Sequence, residues 1–359
     1  MTPDPMIRVT PESLAAFSAA VLGRAGAAAS TAEACGRALV EASIGGVDTH
    51  GVRLLPVYAE ALAKGQVRGA PQLRSETESP ALISVDADGG LGHLPSFLAM
   101  DLAMDLARSS GLAAAVVRNS SHHGATGVYT AVAARKGFLA LGTSSTEAAV
   151  APHGGRDPFF GTNPLSFAAP LSADRVILLD MATSAIPLNR AYMLRSLGAP
   201  LAPDVALDKN GAATREPADV HALLPLGGSS FGYKGAGIAF MLEILAGLLA
   251  GMPHAHAVTR LSEGRGDYGR LGHFFLVIDP ERFLPREAFE TAVRRLVRDL
   301  AGQPASGGEA VMYPGQREAE EAVLRTAAGV PIDAETWRSF TGLALAYDLQ
   351  LPVAMPSRE

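Results

Sequence analysis

The amino-acid sequence predicts an α/β protein, in which an α/β lobe lies between helical segments at the two ends of the chain. Three observations support this prediction: a helical pattern through the first 70 or so residues, short β-rich or apolar runs alternating with helices in the middle, and helical patterns again near the end. A chain of 359 residues is too long for one small core, so we expect two lobes that share a cleft. The predicted segments are 1–75, 76–285 and 286–359.

The first segment contains three predicted helices. The first, Thr10–Arg24, opens with a Thr-Pro pair that suits a cap and a first-turn proline. The second, Ser30–Ile44, opens with the Ser-x-x-Glu spacing of a capping box and is followed by a Gly-Gly pair. The third, Leu54–Lys64, has a proline that only the first turn of a helix tolerates.

The remaining elements alternate between the two types. Short β-rich or apolar runs predict strands at Ala81–Asp86, Ala113–Arg118, Leu139–Thr143, Ser166–Ala169, Val176–Met181 and His273–Ile278. Helical patterns cover Leu94–Ser109, Tyr129–Arg135, Glu287–Leu300 and Glu318–Ala327, with a loop at Gly302–Gly308. The middle of the chain therefore reads as an α/β lobe, and the end reads as helical.

Composition limits the classes of protein that the chain can belong to. Hydrophobic residues make up 48% and charged residues 18%, as in a soluble enzyme with a large core. A net charge of −6 gives no basic surface for nucleic acid, so a small anionic substrate would need a local basic site. Cys35 is the only cysteine, which rules out an internal disulfide and predicts a small core residue rather than a nucleophile.

Two stretches bear on localisation. Met1–Arg8 lacks a basic region followed by an apolar run, so we expect no signal peptide and a cytoplasmic protein. The most apolar stretch, Gly235–Met252, is interrupted by Glu243 and several glycines. It predicts a buried helix rather than a membrane span.

The most informative segment is Gly46–Arg53, which lies between two strong helical patterns. It places a carboxylate, the hydroxyl of Thr49, the imidazole of His50 and the guanidinium of Arg53 within a few residues of glycines. Such a set can hold a 2-oxo or 2-imino carboxylate and protonate its reacting atom, because histidine titrates near neutral pH. A helix beginning near Asp48 would favour a neutral imidazole and attract a carboxylate. The alternative is that His50 only caps a helix.

Three other motifs are weak. No G-x-G-x-x-G follows a strand, which argues against an ordinary Rossmann site. The Gly227–Lys234 stretch is similar to a phosphate loop, but Gly235 stands where Ser or Thr would hold magnesium. His254 and His256 could hold a metal in a hydrolase, yet no carboxylate or cysteine pattern supports this, so we expect no metal site.

Eight motifs occur in one order along nearly the whole chain, from about Thr31 to Val330. They are DTHG at 48–51, SSHHG at 120–124, GTNP at 161–164, LDMATS at 179–184, LPLGG at 224–228, GYKG at 232–235, GHFF at 272–275 and YPGQ at 313–316. In this order they resemble the malate/L-lactate dehydrogenase family of the sulfolactate dehydrogenase type, which includes ureidoglycolate dehydrogenase, diketogulonate reductase and piperideine-2-carboxylate reductase.

The resemblance implies a fold and a reaction. It implies a non-Rossmann nicotinamide-binding domain, a mainly helical domain built from the N- and C-terminal segments, and a homodimer. It also implies transfer of a hydride between NADH or NADPH and a small anionic 2-oxo, 2-imino or 2-hydroxy acid. His50 and His122 match histidines of the family with acid/base roles, and Asp180 matches an aspartate beside the nicotinamide that could orient or recharge the imidazole. For His122 a structural role is the alternative.

The resemblance also proposes residues that bind the substrate and the cofactor. Thr49 and Arg53 are the substrate candidates, although family members carry the arginine one position later, where this chain has Leu54. His123 replaces a common phenylalanine and either adds a polar group or packs. The expected cofactor contacts are His122, Thr162, Asn163, Pro164, Asp180, Met181, Ala182, Lys234, Gly235, Pro314, Gly315 and Gln316. Taken alone, the glycine motifs at 161–164 and 232–235 would be tight turns.

Two hypotheses of different classes remain open from the sequence. The first is an NAD(P)-dependent oxidoreductase that uses His50 as its acid/base residue. The second is a catalytically silent relative that binds a cofactor or an acid as a sensor or an assembly subunit, which the shifted Arg53 and the replaced phenylalanine motivate. The stretch 187–189 indicates a subgroup with its own substrate.

Overall fold

The structure is a computed structural model that describes residues 6–172, 175–258, 270–308 and 310–355. The first five and the last four residues belong to the predicted terminal segments and lie outside the described residues, as does most of the Met1–Arg8 stretch. The boundaries of the three predicted segments stay a prediction.

Helices occur throughout the described chain. They are α1 (Pro11–Arg24), α2 (Ala29–Ile44), α3 (Leu55–Ala63), α4 (His93–Ser110), α5 (Gly127–Arg135), α6 (Leu188–Ser196), α7 (Gly228–Leu242), α8 (Arg286–Ala301), α9 (Gln316–Ala328) and α10 (Ala334–Tyr347). The strands are β1 (Ile7–Val9), β2 (Arg74–Ser79), β3 (Leu82–Asp86), β4 (Leu112–Ser120), β5 (Leu139–Ser144), β6 (Leu165–Pro170), β7 (Val176–Met181), β8 (Ala206–Leu207), β9 (Ala222–Leu223), β10 (Leu271–Ile278) and β11 (Val330–Ile332).

A seven-stranded mixed sheet forms the centre of the α/β lobe, in the order β2-β3-β4-β10-β5-β6-β7. Only β3 and β4 are parallel neighbours, and every other pair is antiparallel. Helices α4 and α5 cover the sheet, where Met100, Tyr129 and Phe275 are buried in one core. The mixed sheet confirms the α/β class and differs from the parallel sheet of a Rossmann fold.

A second core joins the two ends of the chain. Strand β1 pairs antiparallel with β11, so that Val9 lies opposite Val330. Around this pair, Leu14 and Leu39 of the first two helices pack in the same core as Phe340 of α10. The helical unit is therefore built from N- and C-terminal segments together, as predicted.

Most predicted elements are confirmed within one or two residues, and α1 has the predicted cap, because the Thr10 hydroxyl accepts from the Ser13 N–H at 3.2 Å. The predicted capping box of α2 is wrong. The N-cap is Ala28, whose own N–H donates to the Gly69 carbonyl at 2.8 Å, and Ser30 lies inside the first turn. A tertiary contact, not a side-chain cap, thus sets where this helix begins.

The apolar helix predicted at Gly235–Met252 begins earlier, at Gly228, and continues through a π-helical turn, Glu243–Leu248. This helix of 21 residues is long and apolar enough, by length and composition, to cross a membrane. In the protein, 39% of its most apolar 18-residue stretch is buried. One face packs near β10 through Gly272, where a side chain would place Cβ 1.9 Å from the Ala246 carbonyl oxygen. The opposite face is exposed, so the helix that was predicted to be buried is buried on one face only.

Candidate active site

The carboxyl ends of three strands meet at one edge of the sheet. Strands β4, β5 and β7 run in the same direction, because a single antiparallel strand separates each from the next. A cavity of about 690 Å³ opens along this edge. Its walls come from the segments that follow these strands, from the turn at 46–50 and from α6.

The structure brings many of the predicted site residues to this cavity. Those that line it are Thr49, His50, His122, Thr162, Pro164, Asp180, Met181 and Ala182. The other predicted residues are not among its described lining residues, and they are Arg53, Asn163, Lys234, Gly235, Pro314, Gly315 and Gln316. The cavity therefore unites the two histidines with the end of β7.

The turn that carries His50 is held from both sides. Gly51 lies so close to α2 that a Cβ would stand 2.1 Å from the Ser43 hydroxyl oxygen, and that oxygen accepts from the Val52 N–H at 3.0 Å. Asp48 forms a paired contact with Arg325 of α9, at 2.6 and 3.1 Å. The turn is a single 3-10 turn, so the condition of an α-helix beginning near Asp48 is not met: the next α-helix begins at Leu55, within one residue of the predicted start.

His50 and His122 both line the cavity, and their rings are stacked with centroids 6.0 Å apart. The Nδ1 atom of His50 is 3.0 Å from the Thr49 hydroxyl. The Nδ1 atom of His122 accepts from the Gly124 N–H at 3.4 Å and lies 2.5 Å from the Tyr58 hydroxyl. A backbone N–H can only donate, so the neutral ring of His122 carries its proton on Nε2. Within the described part of the chain, Nε2 of both rings has no hydrogen-bond partner.

Three further histidines lie behind this pair, and two of them have both ring nitrogens bonded to hydroxyls. His123 stacks on His273 with centroids 4.1 Å apart, and serine and threonine hydroxyls bond both nitrogens of each ring. His93 contacts the Cys35 thiol at 3.8 Å, and its Nδ1 has no partner among the described residues. Although His123 lines the cavity, it is 1% exposed, so packing is its main role.

Burial keeps the histidines uncharged. Desolvation lowers the pKa of His50 below its usual 6.5. It lowers the pKa of His122 to about 3, with a smaller contribution from the neighbouring His50. The free Nε2 atoms face a cavity open to ligand, and both rings are neutral near pH 7. Each ring therefore presents a neutral nitrogen to the cavity and is a weaker base than a free imidazole, His122 much more so.

Asp180 is the acidic group of the site. The Asp180 side chain is exposed to the cavity. The surrounding protein nevertheless keeps bulk water away from its carboxyl group. This desolvation raises the pKa of Asp180 to about 7, against the Gly127 N–H that donates to it at 2.8 Å and with the help of the nearby Glu318 carboxylate. A side chain at Gly127 would place Cβ 2.8 Å from the Asp180 oxygen, so glycine permits this approach.

Arg53 points away from the cavity, which corrects its assignment to the substrate carboxylate. Its guanidinium donates to Glu335 at 2.9 Å and lies 3.5 Å from Asp333, both on the first turn of α10. Leu54, the next residue, lines the cavity instead. Both residues belong to a 3-10 turn, where successive side chains point about 120° apart.

Asn163 is buried, and its amide is satisfied inside the protein rather than free for a cofactor. Its Oδ1 accepts from the Thr146 N–H at 3.1 Å, and its Nδ2 donates to Glu243 at 2.6 Å. The other Glu243 oxygen accepts from the Ala255 N–H at 2.7 Å. Asn163 therefore ties the loop before β6 to the π-helical turn.

The remaining predicted cofactor residues lie outside the cavity. Lys234 is exposed on α7 beside the rings of Phe231 and Tyr233. Gly235 is packed against Leu226. The 314–316 turn lies beside β7, where the Pro314 carbonyl accepts from the Leu178 N–H at 3.0 Å. These residues do not reach the cavity because α7 and the turn before α9 are held at other parts of the lobe.

The structure adds residues that the sequence analysis missed. Tyr58 is 2% exposed and bonds His122, and a tyrosine on a predicted apolar helix eight residues after His50 was a usable signal, since a buried hydroxyl needs a partner. Glu318 of α9 and Arg190 of α6 line the cavity from distant parts of the chain. No local pattern could have indicated either residue.

Comparison with known proteins gives consistent matches over most of the chain. A family model described as malate/L-lactate dehydrogenase matches residues 9–341. Malate dehydrogenase of Pyrococcus horikoshii is 33% identical over 333 residues, covering 91% of this chain and 91% of that protein. Ureidoglycolate dehydrogenase (NAD(+)) of Escherichia coli K12 is 34% identical over 279 residues, covering 77% and 79%. The solved Δ1-piperideine-2-carboxylate reductase of Pseudomonas syringae pathovar tomato has a TM-score of 0.84 at 30% identity, covering 94% of this chain and 99% of that chain.

Proposed function

Because the chain belongs to the malate/L-lactate dehydrogenase family, we propose that it is an NAD(P)-dependent oxidoreductase acting on a small anionic substrate. It reduces a 2-oxo acid or a cyclic 2-imino acid, or oxidises the matching 2-hydroxy acid. The observation that carries the proposal is the pair of histidines, His50 and His122, whose free Nε2 atoms share a cavity with Asp180. The relatives compared above carry the names of enzymes, which favours this proposal over a silent binding subunit.

The cavity suits a nicotinamide cofactor, NAD or NADP. Its volume of about 690 Å³ falls in the range of small-molecule sites, and apolar walls surround a few polar groups. Thr162, Pro164 and the 180–182 segment are the cofactor-side wall, and Asp180 stands where a positive ring would gain from a carboxylate. When bound, the cofactor supplies or accepts the hydride.

The chain's own residues move the proton. In the oxidation of a hydroxy acid, Nε2 of neutral His50 accepts the hydroxyl proton, and in reduction the protonated ring returns it to the oxygen or nitrogen. His122 lies beside that ring and keeps water from it, and Tyr58 fixes the orientation of His122. Because the pKa of His50 is lowered below its usual 6.5, we expect oxidation to keep its rate down to about pH 6.5 and to fall only at lower pH, while reduction speeds up as the pH falls.

The direct test is a panel of 2-oxo and cyclic 2-imino acids with NADH and NADPH, followed by absorbance of the reduced cofactor. His50→Ala should lower kcat by about 10²- to 10⁴-fold. Cofactor affinity, measured by fluorescence titration, should stay within twofold or so, because His50 touches the substrate side. A purified protein that binds neither cofactor would end the proposal, and binding without turnover of any acid would favour the silent relative.

We also propose a cytoplasmic homodimer. The exposed face of α7 and its π-helical turn presents apolar side chains at helical spacing, namely Tyr233, Phe240, Ile244 and Leu248, which are 54%, 57%, 42% and 49% exposed. A contiguous apolar stripe of this kind is typical of an interface. A second copy of the chain would cover it.

A further inference from the structure

The cavity contains few positive charges, and most arginines near it are already engaged. Arg317 lines the cavity but donates to Glu318 at 2.7 Å. Arg53 is held by the carboxylates of α10. Arg190 of α6 lines the cavity, is exposed, and has no carboxylate partner among the residues that the structure describes. An unpaired guanidinium at a cavity wall is suited to grip a carboxylate by two hydrogen bonds.

Helix α6 brings Arg190 to the same end of the cavity as the proton donor. Asn189, the preceding residue, donates from its side-chain amide to the Thr49 carbonyl at 3.1 Å. This bond fastens the first turn of α6 to the turn that carries His50. In a 2-oxo acid the carboxylate is bonded directly to the carbon that is reduced, so its anchor must lie close to the proton donor.

Apolar side chains also line this end of the cavity. Leu54, Val57 and Leu188 all line the cavity, and none of them can pair with an anion. The arginine beside Glu318 is already paired with it, so a second negative charge on the substrate would meet no unpaired cation other than Arg190 among the described residues that line the cavity.

Building on the proposed function, we infer that Arg190 is the anchor for the substrate carboxylate. The accepted substrate is then a monocarboxylic 2-oxo or 2-imino acid with an apolar side chain, and dicarboxylic and sulfonated acids are disfavoured. Family members carry an arginine at the position of Leu54, whereas in this chain the anchor lies on α6. Leu54 borders the substrate's side chain instead.

The matched pair of variants Arg190→Gln and Arg195→Gln tests the anchor, because Arg195 lies on the same helix but does not line the cavity. Arg190→Gln should raise KM for the acid about 10- to 100-fold, the loss expected for a charge-assisted contact, with Kd for NADH and NADPH unchanged. Arg195→Gln should leave both constants unchanged. A weaker Kd for cofactor with an unchanged KM for the acid would assign Arg190 to a cofactor phosphate and overturn the inference.

A relocation variant gives a second and independent readout. Placing the charge back on the turn after His50, as Leu54→Arg in the Arg190→Gln background, should recover at least a tenfold part of the lost affinity. Wild-type protein should prefer 2-oxobutyrate or a branched 2-oxo acid over oxaloacetate by about tenfold or more in kcat/KM. Preference for oxaloacetate overturns the substrate class. Failure of the wild type to turn over any acid overturns the proposed function itself, which separates the two failures.

Discussion

The hydrogen-bond partners of the ring nitrogens distinguish the histidines that can exchange a proton with a ligand from those that cannot. Five rings crowd at the sheet edge, but hydroxyl partners occupy both nitrogens of His123 and His273. His50 and His122 keep Nε2 free on the cavity side. Sequence motifs proposed His50 and His122 together, and what distinguishes them from His123 follows only from the hydrogen-bond partners that the fold supplies.

Tyr58 should act as a positioning residue for His122. Tyr58→Phe removes the hydroxyl that lies against Nδ1, so that only the longer contact from the Gly124 N–H still orients the ring. We expect kcat to fall by about tenfold while KM for the cofactor stays constant, and stability to fall by only about 1 kcal/mol. Steady-state kinetics and urea unfolding of the variant measure the two effects. A loss of stability without any loss of kcat would leave Tyr58 a packing residue.

The raised pKa of Asp180 predicts pH-dependent binding of the oxidised cofactor. Below about pH 7 the carboxyl is protonated and neutral, and above it the carboxylate attracts a positive nicotinamide ring. The Kd for oxidised cofactor should therefore decrease by about tenfold between pH 6 and pH 8. The reduced cofactor, whose ring is neutral, serves as the control, and Asp180→Asn should abolish the difference. Equal affinity at both pH values would contradict the assignment.

Among the elements, the strand edge was the easiest part of the site to predict. The apolar run at Val176–Met181 became β7 with the same bounds, so the aspartate at its end lies where an α/β lobe binds ligands. The cap of α2 was predicted wrongly and α7 is buried on one face only, because Gly69 and a packing partner on β10 decide these features and neither is close in sequence. Helix α10 was not predicted, although Asp333 caps it through the Thr336 N–H at 2.9 Å.

The link between the loop before β6 and the π-helical turn should be a point of stability. Glu243→Ala leaves the Asn163 amide and the Ala255 N–H without their buried acceptor. We expect a loss of about 2–4 kcal/mol in the free energy of unfolding. Urea denaturation measures it, with Glu287→Ala on the exposed face of α8 as the control. A loss below about 0.5 kcal/mol would show that the link is dispensable.

The neutral histidines at the sheet edge also predict a pH dependence of stability. Burial lowers the pKa of His93, His122 and His273 to about 3, below the value of about 6.5 in an unfolded chain. Their stabilising effect is complete above pH 6.5 and is lost as the pH falls from 6.5 towards 3. The free energy of unfolding should drop by at most about 4 kcal/mol per pH unit across this window. Asp180, with a raised pKa, opposes the trend by gaining stability as it protonates, so a flat profile between pH 7 and pH 5 would contradict the histidine account.

At the scale of the whole molecule, the apolar face of α7 predicts the oligomeric state. Phe240→Lys and Ile244→Lys together place two charges on that face, while neither side chain lines the cavity. Sedimentation should show the wild type as a dimer and the double variant as a folded monomer, because these side chains are exposed in the single chain. A wild type that sediments as a monomer would refute the homodimer.

The helices and strands were predictable because their patterns are local in the sequence. The contacts that join the two chain ends are not local, and only the family resemblance implied them. The sequence could not show that Arg325 holds the turn of His50 or that Arg53 reaches α10. Both contacts span about 280 positions, and charge-pair partners at such distances leave no periodic signature. The misplacement of Arg53 came from this limit.

Since β1 pairs with β11 and Phe340 completes the core that joins the N- and C-terminal segments, helices α1 and α2 have no finished partner until residues 330–340 are translated. A nascent chain stalled before Val330 keeps Val9 and Leu14 unshielded, as a substrate for chaperones and proteases. Synthesis of the segment that contains β11 and α10 is thus the step that lets the nascent chain complete its fold.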